Sequence, residues 1–239
     1  KGVSEMSDHM EASGKSRGLD GAEIKWIAMI CMVCDHMAIT LFDSAFWLRA
    51  AGRIAFPLYC LLLVEGFLYT KSRKCYFFTL LLFAFLSEVP FDLAVYGTFW
   101  YPYYQNVFFE LAALLLMLCG LEWARKQKAG IAVLAFWGII GAACACVWLI
   151  KADYHIIGIM MVLSLYYAGE DRKLQAEYIG AIGLMESLTY FGAGALAAVP
   201  VFLYNGKPGK RGNKYFFYWF YPVHLLVLAF MRWWMGLGN

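Results

Sequence analysis

Long apolar runs separated by short polar connections set the pattern of this chain. Runs of mainly apolar residues occupy roughly 27–42, 51–69, 75–95, 107–123, 130–150, 154–168, 177–203 and 214–236. A spanning helix needs about 20 such residues. Backbone in lipid must satisfy its own hydrogen bonds, which only helices and closed barrels do. The runs are continuous and lack the alternation of barrel strands. The pattern therefore predicts an all-α fold, a polytopic membrane helical bundle of about eight transmembrane helices. It forms one domain over 25–239, behind a polar tail at 1–24.

Composition sharpens this picture. Hydrophobic residues make up 62% of the chain and charged residues 15%, against about 45–50% and about 25% in soluble proteins. The lipid bilayer is thus the first partner implied. The net charge of +3 is spread among the connections and leaves no nucleic-acid footprint. Seven cysteines lie in or at the ends of the runs, an odd number that argues against a disulfide framework. Cys31 and Cys34 form a C-x-x-C, but in an apolar helix packing is favoured over redox chemistry.

Charge also suggests orientation. Lys71, Arg73 and Lys74 follow the second run, Arg125, Lys126 and Lys128 the fourth, and Arg172 and Lys173 the sixth. The positive-inside rule places these turns, and the N-terminus, on the cytoplasmic side of the membrane. Connections 43–50, 96–106 and 151–153 then face outward. One connection disagrees: eight crossings put 204–213 outside, although it carries Lys207, Lys210 and Arg211. A re-entrant 154–168 would turn it inward.

Ionisable residues inside the runs are costly and point to a site. They are Asp35 and His36, Glu65, Glu88 and Asp92, Glu110, Glu186 and His224, with Arg53 near the outer end of the second run. His36 lies 11 residues beyond Lys25, about 16 Å deeper and close to three helical turns on, so the two share a face. Glu88 and Asp92 are one turn apart, although Pro90 between them should bend or end the helix. With Gln105, Asn106 and Glu110 they gather in the middle and outer half. Each also has a structural reading. An intramembrane His can simply bond a carbonyl, Glu186 can be a protonated packing residue, and the basic clusters can be topology signals alone. No Walker loop and no His-Glu-x-x-His is present, and no metal is expected. Gly192-Ala-Gly194-Ala-Leu-Ala197 reads as a small-residue helix contact.

Several strings occur together: Cys34-Asp35-His36, Gly52-Arg53-Ile54-Ala55-Phe56-Pro57, Val64-Glu65-Gly66-Phe67, Ser87-Glu88-Val89-Pro90-Phe91-Asp92, Gln105-Asn106-Val107-Phe108-Phe109, Tyr204-Asn205-Gly206 and Tyr221-Pro222-Val223-His224-Leu225. In this order and spacing the chain resembles the TraX family, named for the conjugal pilin acetylase, from about residue 24 to 236. That family is similar to the multi-span acyltransferases that modify sugars, in which a basic residue, ten others and a His mark the site. Lys25 and His36 match that spacing. His155 stands where the resemblance leads one to expect a small residue.

The resemblance implies transfer of an acyl group, acetyl from acetyl-CoA above all, to an amine or hydroxyl of a peptide, glycan or lipid acceptor. His36 is then the general base, oriented by Glu88 or Asp92, with Asn106 or Arg53 stabilising the oxyanion. Lys25, backed by Lys71, Arg73 and Lys74, would hold the phosphates of CoA. Asp35, Glu65, Gln105, Glu110 and His224 remain for the acceptor. The alternative is a proton-coupled small-molecule transporter or flippase relaying protons through the same groups. That alternative leaves the Lys25–His36 alignment unexplained, and no internal repeat supports it.

Overall fold

A computed structural model describes residues 18–43, 45–209 and 214–237. Lys210, Arg211 and most of the expected polar tail lie outside these residues. The described chain is all-helical: α1 (Gly21–Leu41), α2 (Phe46–Gly52), α3 (Ala55–Tyr69), α4 (Arg73–Val95), α5 (Val107–Ala124), α6 (Ala129–Leu149), α7 (His155–Ala168), α8 (Arg172–Glu186), α9 (Ala198–Phe202) and α10 (Lys214–Trp234). Two 3-10 turns, Leu188–Tyr190 and Ala193–Ala197, lie between α8 and α9.

Local chemistry sets the starts. The Asp20 carboxylate accepts from the amides of Ala22 and Glu23, and Glu23 accepts from the amide of Asp20. This reciprocal cap begins α1 at Gly21, six residues before the expected 27. Ser72, Asn106 and Asp171 cap α4, α5 and α8 through their side-chain oxygens alone, without the return bond. Pro90 lies inside α4, which runs through it to Val95. Of the two expected outcomes, a bend or an end, the end does not occur there. The connection expected at 43–50 is in part helical, because α2 starts at Phe46 and leads through Arg53 and Ile54 into α3.

Among the described residues five stretches are long and apolar enough to cross a membrane: α1, Phe46–Tyr69, α4, α5 and α6. Three of the expected eight runs fall outside these five: 214–236, which forms α10, and two runs of a different kind. α7 has only 14 residues. The run at 177–203 is broken: α8 ends at Glu186, Ser187 Oγ donates to Gly183 O and accepts from Gly194 N, and Phe191 and Gly192 are left-handed. A Cβ on Gly183 would lie 2.6 Å from Gly194 O, so only glycine lets the two arms meet here. The glycine-rich string thus makes a close contact, as expected, but between a helix and a 3-10 turn.

This hairpin leaves and rejoins the same end of the bundle. The amide of Leu19 donates to Leu203 O, Asn205 N to Leu19 O and Gly21 N to Lys207 O. Residues 203–207 therefore sit beside the start of α1, hereafter the near end. The described part of the last connection, 204–209, thus lies at the end where α1 starts and not opposite it, as eight crossings would put it, and 154–168 does not turn back. α7 connects Tyr154, beside Glu110 at the start of α5, to Tyr166, bonded to Arg125 at its end. Arg232 donates to the carbonyls of Ala94 and Val95, which places the end of α10 with the end of α4, at the far end.

The core is shared by α1, α3, α5 and α7, with Ile24, Leu58, Leu61, Leu114, Leu118 and Leu165 fully enclosed. α6 instead exposes Leu134, Trp137, Trp148 and Leu149, an apolar surface suited to lipid.

Candidate functional site

α1 carries the site along one stripe. Ala22, Lys25, Met29 and Met32 line a cavity of about 570 Å³. Met32, Asp35 and His36 line a second, of about 50 Å³. The steps of three and four residues between these positions keep them on one helical face. The two cavities share Met32, Tyr59, Val107 and Tyr221, so one aromatic and apolar septum separates them.

The large cavity opens among near-end residues Lys25, Lys71, Ser72 and Pro208 and runs inward past Tyr76, Phe108, Phe217 and Tyr218. Its size falls within the usual range for small-molecule sites, about 300–1,000 Å³. Lys25 Nζ lies 5.4 Å from the ring centre of Phe217, and no carboxylate neutralises it among the described residues. Lys71 is exposed at the same mouth. The other two expected donor contacts are elsewhere. Arg73 folds back on α3, its Nε donating to Phe67 O and its guanidinium 3.9 Å over the Phe67 ring, and Lys74 does not line the cavity.

The small cavity lies in the far half, walled by His36, Asp35, Gly52, Gln105, Asp153 and Tyr154 with Phe56 and Phe91. His36 is buried, and its Nδ1 lies 2.9 Å from Nε2 of His224 on α10. Neither Glu88 nor Asp92 reaches it. Glu88 accepts from the side chain and the backbone amide of Asn106. Asp92 accepts from Tyr101 N at 2.8 Å. Both carboxylates thus fix the α4–α5 connection, and the ring in contact with His36 is His224 rather than either expected acid. The two residues are 188 apart in sequence, and no local pattern links them.

Asp35 faces two arginines. Arg49 Nη1 is 2.9 Å from both carboxylate oxygens, and Arg53 Nη2 is 2.9 and 3.1 Å from them. The other arm of Arg53 donates to Glu186 at 3.1 Å. Glu186 therefore has an ion-pair partner and is not a lone packing acid. Arg49 belongs to the cluster although sequence reasoning passed it over; its place one turn before Arg53 was the available signal. The packing explains Gly52 as well, since a Cβ there would overlap the Asp35 carboxyl.

Asn106 is committed too, its amide bonding Glu88 and Ala84 O. It is not free to meet an oxyanion, whereas Arg53 keeps a buried Nε without a hydrogen-bond partner among the described residues. Gln105, by contrast, lines the small cavity and its side chain makes no hydrogen bond among the described residues. Glu110 accepts from Tyr154 N at 3.0 Å, behind the stacked rings of Phe56 and Tyr154. Glu65 pairs with Arg172 at 3.0 Å and accepts from Tyr204 OH, at the near end. Of the expected acceptor residues, only Asp35 and Gln105 line the small cavity. His155 has φ 48°, a left-handed conformation that favours glycine. Among the described residues no three His, Cys, Asp or Glu side chains converge as a metal would need.

Residues 20–232 match the sequence model of the TraX protein family. This chain is a member of the TraX family. It is 31% identical over 242 residues to the probable fimbrial assembly protein FimC, serogroup H1, of Dichelobacter nodosus, covering 90% of this chain and 97% of that one. It is 28% identical over 227 residues to protein TraX of Escherichia coli strain K12, covering 86% and 84%. No solved structure matches. The family assignment covers all the cavity-lining residues, so the site belongs to the shared domain and not to an appendage.

Proposed function

We propose that this TraX-family membrane protein is an acyl-CoA-dependent acyltransferase that moves an acetyl group from acetyl-CoA to an amine or hydroxyl acceptor. The observation that carries the reading is the stripe on α1: a cation at the mouth of a large cavity, and a histidine three turns on in a small one behind a shared septum. The cation suits the phosphates of a CoA, and the aromatic-lined cavity suits its pantetheine arm. The small cavity, about 50 Å³, accommodates a group of a few heavy atoms such as acetyl better than a long acyl chain. The family membership adds to this, and the likeness to a probable fimbrial assembly protein of Dichelobacter favours a protein subunit of a fimbria among the possible acceptors.

In this mechanism Lys25 and Lys71 hold the donor phosphates. The thioester carbonyl sits at the septum. The acceptor heteroatom attacks the carbonyl carbon, its proton passes to Nε2 of His36, and the carbon–sulfur bond breaks. The departing thiolate recovers that proton and leaves as CoA thiol. Gln105, which lines the small cavity, donates its amide to the carbonyl oxygen as charge develops. The ionic cluster of Asp35, Arg49, Arg53 and Glu186 holds α1, α2 and α8 around this reaction space.

We place the near end in the cytoplasm of an inner membrane. It collects Lys25, Lys71, Arg73, Lys74, Arg125, Lys126, Lys128, Arg172, Lys173 and Lys207, whereas two of the far-end cations, Arg49 and Arg53, are consumed in ion pairs. The finer expectation of eight crossings is replaced in this reading by an odd number, with the start of α1 and the end of α10 on opposite sides. The test is equilibrium binding of radiolabelled acetyl-CoA to the purified protein in detergent. Saturable micromolar binding that weakens in Lys25→Ala supports the donor site. Absence of specific binding, with protonophore-sensitive solute movement in vesicles, supports a transporter instead.

A further inference from the structure

The histidine pair contains more information than proximity. His224 Nδ1 lies 2.9 Å from the carbonyl oxygen of Phe220, one turn back on α10. A carbonyl only accepts, so Nδ1 of His224 bears a proton. In neutral His224, Nε2 is then an unprotonated acceptor. Its 2.9 Å partner, Nδ1 of His36, must be the donor. Neutral His36 is thereby forced into the Nδ1–H tautomer, and its lone pair resides on Nε2, the nitrogen that makes no hydrogen bond among the described residues.

We infer that His224 is a positioning residue that fixes the tautomer of His36 and so selects Nε2 as the reactive atom. Free imidazole side chains in water favour the other tautomer, with the proton on Nε2, in which that atom can neither accept a proton nor attack a carbonyl. The chain Phe220 carbonyl, His224, His36 reverses that preference without a carboxylate. Packing holds the chain in place: the His224 ring stacks on Phe220 at 5.2 Å and 15°, and Tyr221 packs edge-on against both histidines. A carbonyl second partner has a physical advantage over an anion here. An Asp in that place would put an uncompensated charge deep in the bilayer, whereas His224 supplies an acceptor lone pair and stays neutral. His224 thus resembles the orienting groups behind many catalytic and metal-bound histidines, with a neutral ring replacing the usual acid.

The inference deepens the reading of His36 as the base, but its test does not need turnover. Protein with 15N-labelled histidine is reconstituted in lipid nanodiscs and its imidazole nitrogens are read by NMR, with His36→Gln assigning the signals. The expected wild-type spectrum shows His36 protonated on Nδ1 and bare on Nε2. His224→Ala should move the proton to Nε2. His224→Gln, whose carbonyl oxygen can accept from Nδ1, should largely restore the wild-type tautomer. Label transfer from acetyl-CoA should follow the same order, with His224→Ala losing a large part of the roughly 10²–10⁴-fold worth of a general base and acetyl-CoA affinity unchanged. A wild-type His36 protonated on Nε2, or a tautomer indifferent to His224→Ala, overturns the inference. The expected tautomers without any acetyl transfer would leave it standing and count against the transferase reading alone.

Discussion

Replacing Arg53 by methionine should be among the most damaging single changes in the protein. The guanidinium is 9% exposed and bridges two carboxylates on different helices, Asp35 on α1 and Glu186 on α8. The two losses are unequal. Asp35 keeps Arg49 at 2.9 Å, whereas no other cation pairs with Glu186 among the described residues. Methionine fills most of the space but leaves Glu186 either charged and unpaired or protonated. Removing one partner of a buried pair costs about 3–5 kcal/mol, and at about 2–4 °C per kcal/mol for a chain of this size the apparent midpoint should fall by roughly 6–20 °C. Arg49→Ala is the internal contrast. It leaves Asp35 paired with Arg53, so its cost should be near the lower scale of one charged hydrogen bond, about 1.5–3 kcal/mol. Adding Glu186→Gln to Arg53→Met removes the orphaned charge and should recover a substantial part of the loss. The assay is thermal unfolding of purified protein in one detergent, followed by tryptophan fluorescence at a fixed scan rate. An Arg53→Met midpoint within about 2 °C of wild type, or no recovery in the double variant, would refute the cluster as a structural clamp.

Asn106→Ala removes the cap of α5 and the amide that serves Glu88; the sum, about 1–2 kcal/mol for the cap and about 1–3 kcal/mol for the stranded acid, should appear in the same unfolding assay with acetyl-CoA affinity unaltered in the folded fraction. Lys25→Ala should raise the acetyl-CoA dissociation constant by about 1–2 kcal/mol, roughly 5–30-fold, with the effect shrinking at high salt; an unchanged constant at low salt removes Lys25 from the donor site. In competition with labelled acetyl-CoA, hexanoyl-CoA should bind yet support little transfer, since its chain exceeds the small cavity of about 50 Å³; equal transfer rates for the two donors would contradict the placement of the acyl group there.

Much of the helical skeleton is written in the apolar runs. α3 to α6 fall close to the ranges that hydropathy alone suggests, because lipid leaves the backbone little alternative to helix. The departures occur where short-range polar chemistry overrides the run. Asp20 and Glu23 start α1 early, and Ser187 with Gly183, Gly192 and Gly194 folds 177–203 into a hairpin whose composition still looks like a span. The candidate site was legible as a set of residue types but not as pairs. His36 and the donor-side Lys25 share one helix, so their spacing exposed them. The partners did not: His224 reaches His36, Glu186 reaches Arg53 and Asn106 reaches Glu88 only through the packing of different helices. Glu88 and Asp92 looked suited to orient a base because they share a helical face. That face meets the loop leading into α5 instead, where their oxygens satisfy backbone amides of Asn106 and Tyr101.

The central claim is that His36 accepts the proton lost by the acceptor during acyl transfer. The direct measurement is incorporation of label from acetyl-CoA into envelope material by membranes containing the wild-type protein or His36→Ala, at matched amounts of folded protein. Three turns separate His36 from Lys25, so donor binding should survive in the variant. The account predicts that incorporation depends on the wild-type protein and falls at least about 10²-fold in His36→Ala. A folded His36→Ala protein that binds acetyl-CoA and transfers label at a near-normal rate would contradict it.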